Sequence, residues 1–125
     1  MKIEHVALYV QDLEKTKEFF VRFFGATANE RYFNSNTGFS SYFLSFSEGA
    51  RLEIMTRPGM KFSTDRTGRY HHVAFKVEDR QRVDAFTNKL VAAGYKCISG
   101  PRQTGDGYYE SCIQGPDEIL IEITE

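Results

Sequence analysis

The chain opens on an alternation. Val6, Leu8 and Val10 point one way and His5, Ala7 and Tyr9 the other, the two-residue period of a half-buried strand over residues 3–10. The period then lengthens. Asp12 offers an N-cap, Glu14 suits a first turn, and Leu13, Thr16, Phe20, Phe23 and Phe24 recur at helical spacing until Gly25 closes the helix. Strand-like stretches follow at about 28–34, 39–46 and 50–56, parted by the turn sequences NSNTG and SEGA. The polar run RPGMKFSTDRTGR then breaks the pattern, as a connecting loop does. After it the same order returns. A strand over 72–77 leads to the N-cap Asp79, and the helical stripe Val83, Phe86, Leu90 and Ala93 ends at Gly94. Strands are predicted near 95–99, 108–114 and 119–124, with SGPRQTGDG and QGPDE as turns.

The letters repeat along with the pattern. HVALYV begins at His5 and HVAFKV at His72; the same shift of 67 brings Asp12 onto Asp79 and Phe19 onto Phe86. A shift of 69 brings Gly38 onto Gly107 and Leu52-Glu53-Ile54 onto Ile121-Glu122-Ile123. Both halves read β-α-β-β-β, so the chain is an internal duplication, and the change of offset asks only for two extra residues in a loop.

Parity singles out four polar residues. Leu52 and Ile54 form the apolar face of their strand, so Glu53 lies opposite; Ile121 and Ile123 leave Glu122 opposite; His5 and His72 oppose their own Val and Leu or Phe neighbours. If helices cover the apolar faces, His5, Glu53, His72 and Glu122 all project from the uncovered face. Two imidazoles and two carboxylates suit a divalent ion such as Zn, Ni, Co, Mn or Fe. Four protein ligands leave two places on a six-coordinate ion, where a carbonyl is polarised or a bound group acidified. A lone strand His or Glu is ordinarily a solvated surface residue. The pairing argues otherwise, because each half supplies one His at its first strand and one Glu at its last. His71 has the wrong parity, and its counterpart is Glu4 rather than a histidine; it reads as a structural or surface residue.

Length and composition narrow the classes. At 125 residues the chain is one domain with a real core, with module one over about 1–57, a linker over about 58–70 and module two over about 71–125. Apolar residues are 41% and charged residues 26%, with a formal net charge of −1, ordinary for a globular protein. No basic face is implied, so neither nucleic acid nor an anionic membrane is an expected partner. Cys97 and Cys112 are the two cysteines, too few for a disulfide scaffold and consistent with reduced thiols in a cytoplasmic protein. The start, MKIEHVALYV, has no signal-peptide pattern, and no apolar run approaches the roughly 20 residues that cross a bilayer.

HVALYVQDLEKTKEFFVRFFG, HHVAFKVED and the ending GPDEILIEITE resemble the vicinal oxygen chelate superfamily, which includes glyoxalase I, methylmalonyl-CoA epimerase, extradiol dioxygenases, fosfomycin-resistance thiol transferases and bleomycin-resistance proteins. The resemblance covers essentially the whole chain. It implies an α+β fold of two tandem βαβββ modules forming a curved, mostly antiparallel sheet with helices on the outer face, cupping a metal. The ending looks like the family signature D-P-D-G-N-x-I-E, with Gly115, Glu118 and Ile119 in place of its Asp, Gly and Asn and the spacing to Glu122 kept. A His and a Glu from each module is the bacterial glyoxalase I arrangement. Carried over, it implies His5, Glu53, His72 and Glu122 as ligands of a divalent metal, with Glu122 also moving the substrate proton.

The implied activity is that of a lyase or isomerase of the lactoylglutathione lyase type, acting on a small α-oxygenated carbonyl compound through a metal-bound enediolate. Glyoxalase I carries an Arg four residues after its first His and an Asn four residues after its first Glu, which help hold glutathione; here those positions are Tyr9 and Arg57. Arg57 shares parity with Glu53 and is a candidate for binding an anionic substrate group, with Tyr108 as a rim residue beside Glu110 and Cys112. Epimerase, thiol transferase or dioxygenase chemistry on the same platform is the alternative, and a metal-free small-molecule binding or resistance protein is a third reading. The resemblance also implies a homodimer.

Overall fold

A computed structural model describes residues 4–61, 71–105 and 107–125. The chain divides into two compact units, Met1–Ser63 and Thr64–Glu125. The linker expected over 58–70 lies outside the described residues from position 62 onward.

The first unit runs β1 (His5–Tyr9), α1 (Leu13–Phe24), β2 (Thr27–Ala28), β3 (Tyr32–Phe33), β4 (Ser40–Ser45) and β5 (Arg51–Thr56). Its sheet has the order β1-β5-β4-β2, with β3 also on β4. The β1–β5 pair is parallel and the others antiparallel. The second unit runs β6 (Val73–Lys76), α2 (Arg80–Ala92), β7 (Lys96–Gln103), β8 (Tyr109–Gln114), a 3₁₀ turn at Pro116–Glu118, and β9 (Leu120–Thr124). Its sheet order is β6-β9-β8-β7, with β6–β9 parallel. The fold is α+β, with two mixed sheets, one per βαβββ unit. No helix among the described residues is long and apolar enough to cross a membrane.

Both helices start and stop where their caps dictate. Asp12 accepts from the Lys15 amide at 2.9 Å, and Gly25 ends α1 at φ +65°, a left-handed conformation that favours glycine. Asp79 accepts from the Arg82 amide at 2.8 Å. In α1 the buried stripe is Leu13, Thr16, Phe19, Phe20 and Phe23; Phe24, expected in it, is only half-buried. In α2 the stripe is Val83, Thr87 and Leu90. Phe86 is half-buried and Ala93 exposed, contrary to the sequence reading. Thr87 takes the inner place because its hydroxyl is satisfied there, 2.6 Å from both the Val83 carbonyl and the Ser111 hydroxyl.

Each helix packs on its own sheet over the apolar parity. In unit one that face carries Leu8, Leu52, Ile54, Tyr42 and Leu44, all buried. The Tyr42 hydroxyl donates to Glu14 of α1 at 2.8 Å. That bond, together with the Lys17 ammonium, which bonds Glu14 more strongly still, holds the Glu14 carboxyl below the usual carboxylate range. In unit two the face carries Ile113, Ile121 and Ile123, all fully buried, and Tyr109 donates to Asp84 of α2 at 2.8 Å.

The duplication is written into the strand registers. Ala7↔Glu53 and Phe43↔Glu53 in unit one match Ala74↔Glu122 and Cys112↔Glu122 in unit two. Of the two extra residues, one lengthens α2, which has 13 residues against 12 in α1, and the other lies in the loop between α2 and β7. Two predicted strands also differ from what forms. The stretch 28–34 breaks into β2 and β3, because β4 shifts register between Ala28↔Leu44 and Tyr32↔Ser41 while the Asn29 side chain accepts from the Phe43 amide at 2.7 Å. β7 continues to Gln103 through Gly100-Pro101, which the sequence marks as a turn, by means of register shifts after Cys97 and Ser99.

Among the described residues, one buried side-chain polar atom is unsatisfied. Thr16 is fully buried, and its hydroxyl oxygen has no hydrogen-bond partner. The repeat places Val83, also fully buried, at the same point of α2, four residues after the N-cap. Thr16→Val is therefore expected to raise stability by about 1 kcal/mol, read as a higher urea midpoint with an unchanged slope. A lower midpoint would mean that the hydroxyl is satisfied in solution.

Candidate functional site

In unit one, β1 and β5 run side by side with Ala7 opposite Glu53. His5, Ala7 and Tyr9 therefore share a face with Arg51, Glu53 and Met55, away from α1. From β4, Phe43 stands opposite Glu53 and its ring meets that of His5 edge-on at 5.3 Å. Arg51 lies over the other part of this ring, 4.3 Å from its centroid. His5 Nδ1 is 2.5 Å from Glu4 Oε2, and the other oxygen of Glu4 is paired with the Arg51 guanidinium. The His5 hydrogen bond, reinforced by Arg51, keeps the Glu4 carboxyl below its ordinary pKa. Farther along, the Arg57 guanidinium sits over the Tyr9 ring at 5.5 Å. The two positions that depart from the glyoxalase I pattern are thus in contact with each other.

In unit two the same face carries Ala74 and Lys76 of β6, Glu122 and Thr124 of β9, and Glu110 and Cys112 of β8. His72 immediately precedes β6. Its Nε2 is 3.6 Å from Glu122 Oε2, and its Nδ1 is 3.0 Å from Nδ1 of His71. Glu110 faces Arg102 of β7 at 3.9 Å. Tyr108, just ahead of β8, is 53% exposed, and its amide donates to the Thr104 hydroxyl at 3.0 Å.

Imidazole nitrogens and carboxylate oxygens are donor types that bind a divalent ion. Zinc bonds to His N and carboxylate O of about 2.0–2.2 Å set two neighbouring donor atoms roughly 3–3.5 Å apart. His72 Nε2 and Glu122 Oε2, at 3.6 Å, are close to that spacing. Each unit supplies the histidine and glutamate of its half of the repeat, His5 with Glu53 and His72 with Glu122, and unit two adds Glu110. Among the described residues, no three His, Cys, Asp or Glu side chains are grouped to bind a metal.

The turn before β9 has two consecutive residues with positive φ. Asp117 and Glu118 both have left-handed backbones, at φ 53° and 60°, and the Gly115 amide donates to the Ile119 carbonyl at 2.8 Å. Glu118 occupies the position of the signature's glycine. A side chain there costs about 1–2 kcal/mol, which the closed turn and the strand after it sustain.

The family profile described as the Glyoxalase/Bleomycin resistance protein/Dioxygenase superfamily matches residues 2–123. The chain belongs to that superfamily. The chain is also 30% identical to the uncharacterised Bacillus subtilis protein YqjT, over 97% of its own length and 96% of that protein's. Among solved structures it is similar to the trypanothione-dependent glyoxalase I of Leishmania major, with TM-score 0.79 and 19% identity over 98% of this chain and 85% of that one. It is similar too to the fosfomycin resistance protein FosX of Listeria monocytogenes, solved with Mn(II) and sulfate, with TM-score 0.74 and 22% identity over 98% and 89% of the two chains. At these identities the two structures bear on the fold alone.

Within the superfamily fold, parity placed Glu53 and Glu122 on the face away from the helices, and the registers agree. The sequence reading gives Glu4 no role; the structure sets its carboxylate against His5. Residue 71, taken as a structural or surface histidine, touches His72 directly. The signal was available: Glu4 and His71 occupy the same place in the repeat, each immediately before a histidine.

Proposed function

We propose that this superfamily member is a divalent-metal-dependent enzyme of the glyoxalase kind, a lyase or isomerase acting on a small α-oxygenated carbonyl compound. His5, Glu53, His72 and Glu122 would hold the metal. The observation that carries this reading is the approach of His72 Nε2 to Glu122 Oε2, at 3.6 Å, on a face whose register is repeated by Glu53 in the other unit. A divalent ion held there supplies Lewis acidity toward adjacent substrate oxygens. Glu122 is the residue that moves a proton between neighbouring carbons, since a carboxylate beside the reacting atoms accepts and returns it.

Arg57, exposed and backed by Tyr9, binds an anionic group of the substrate, and Tyr108 contributes at the rim. With Tyr9 and Arg57 where glyoxalase I carries Arg and Asn, the substrate is one other than the glutathione adduct. Epimerase or thiol transferase chemistry on the same ligands is the second reading, and the Arg57–Tyr9 contact is the observation in its favour. A homodimer in the cytoplasm completes the proposal.

The test is direct. Protein purified without chelator is expected to carry stoichiometric divalent metal and to lose turnover with EDTA. Methylglyoxal with a panel of thiols then separates the two readings: no activity with any thiol favours the second. Absence of stoichiometric metal would overturn both.

A further inference from the structure

The two histidines proposed as ligands are each held from behind by the residue that precedes them. His5 Nδ1 lies 2.5 Å from Glu4 Oε2, and His72 Nδ1 lies 3.0 Å from His71 Nδ1. In both rings the nitrogen so occupied is Nδ1; at His5 the partner is a carboxylate, which leaves the lone pair on Nε2. On His72 that nitrogen is the one toward Glu122. A carboxylate can only accept, so the proton shared by Glu4 and His5 sits on His5 Nδ1 whenever the imidazole is neutral. Glu4 is itself fixed: its backbone carbonyl accepts from the Arg51 amide at 2.9 Å, and its second carboxylate oxygen is paired with the Arg51 side chain.

We infer that Glu4 and His71 are positioning residues that set the tautomer of His5 and His72, presenting Nε2 of each ring to the metal. The inference rests on the metal reading above. Outer partners of this kind orient ligand histidines and raise their basicity. The two half-sites are not equal. Glu4 brings a carboxylate and an arginine tether, whereas His71 brings a second imidazole whose nitrogen donates or accepts according to its tautomer, so Glu4 has the larger effect.

Long-range ¹H–¹⁵N correlation spectra of the metal-free protein, at a pH where imidazoles are neutral, read the tautomers directly. The Nδ1–H form is expected at His5 and His72 in the wild type. Glu4→Ala is expected to move His5 toward the Nε2–H form and to weaken Zn²⁺ binding, measured by chelator competition, by about tenfold or more. Glu4→Gln, which keeps an acceptor but not the charge, falls between. Glu4 is exposed, so the thermal midpoint should not move; a merely structural role would move the midpoint and leave the tautomer unchanged. Nε2–H at His5 in the wild type, or wild-type tautomer and Zn²⁺ affinity in Glu4→Ala, overturns the inference. A wild type with Nδ1–H at both rings and no Zn²⁺ binding overturns the metal reading instead and leaves the ring positioning standing.

Discussion

Glu122→Gln is expected to lower turnover by about 10²–10⁴-fold while the fold stands. The substitution keeps size and shape. It falls on the face away from α2, between Ile121 and Ile123, which are fully buried on the other side, so the core is untouched. What is lost is the capacity to take up a proton, which an amide lacks at neutral pH. The measurement is kcat at saturating metal, with bound metal counted in the same samples, so that loss of the ion is not mistaken for loss of the base. A variant that holds metal and turns over at the wild-type rate would remove Glu122 from the proton-transfer role and leave it as a ligand only.

Gly100→Ala is expected to cost about 3 kcal/mol of folding stability, combining a left-handed backbone penalty with overpacking. Gly100 has φ +80°, and a Cβ there would strike the Glu110 carbonyl oxygen and come within 2.9 Å of Ser111 Cα. Both obstacles are backbone, so no side chain can swing aside. The loss should appear as a lower urea midpoint, and it bears on the candidate site as well, because Glu110 and Ser111 immediately precede Cys112, which is in register with Glu122. Gly94→Ala is the matched control. Gly94 is also left-handed, at φ +92°, but nothing lies near its missing Cβ, so it shows the backbone penalty without the collision. Equal losses in the two variants would mean that β7 moves aside.

The elements legible in the sequence were those with a strong local signal. The caps Asp12 and Asp79 and the alternations around Leu52-Glu53-Ile54 and Ile121-Glu122-Ile123 fixed both helices and the site-bearing face. What escaped depends on partners distant in sequence. Thr87 displaces Phe86 from the buried stripe because Ser111, 24 positions on, satisfies its hydroxyl. β7 runs through Gly100-Pro101 because β8 accepts two register shifts, and no local pattern announces that. Strand parity gives His71 and His72 opposite faces, yet both lie outside β6, where alternation no longer governs the direction of a side chain. Of the candidate site, the residue types and their faces were readable. The His72–Glu122 spacing and the contact of Arg57 with Tyr9 needed coordinates.

The hydroxyl pair under α2 reaches beyond stability. Where unit two sets Thr87 against Ser111, unit one has Phe20 and Tyr42 at the same places in the repeat. A helix moved from the first half into the second would drive a benzyl group into space built for two small side chains and strand the Ser111 hydroxyl; the reverse exchange would open a void. The ancestral symmetry survives in the backbone, but the halves can no longer trade parts. Recombination between the two repeats is expected to yield chains that fold poorly.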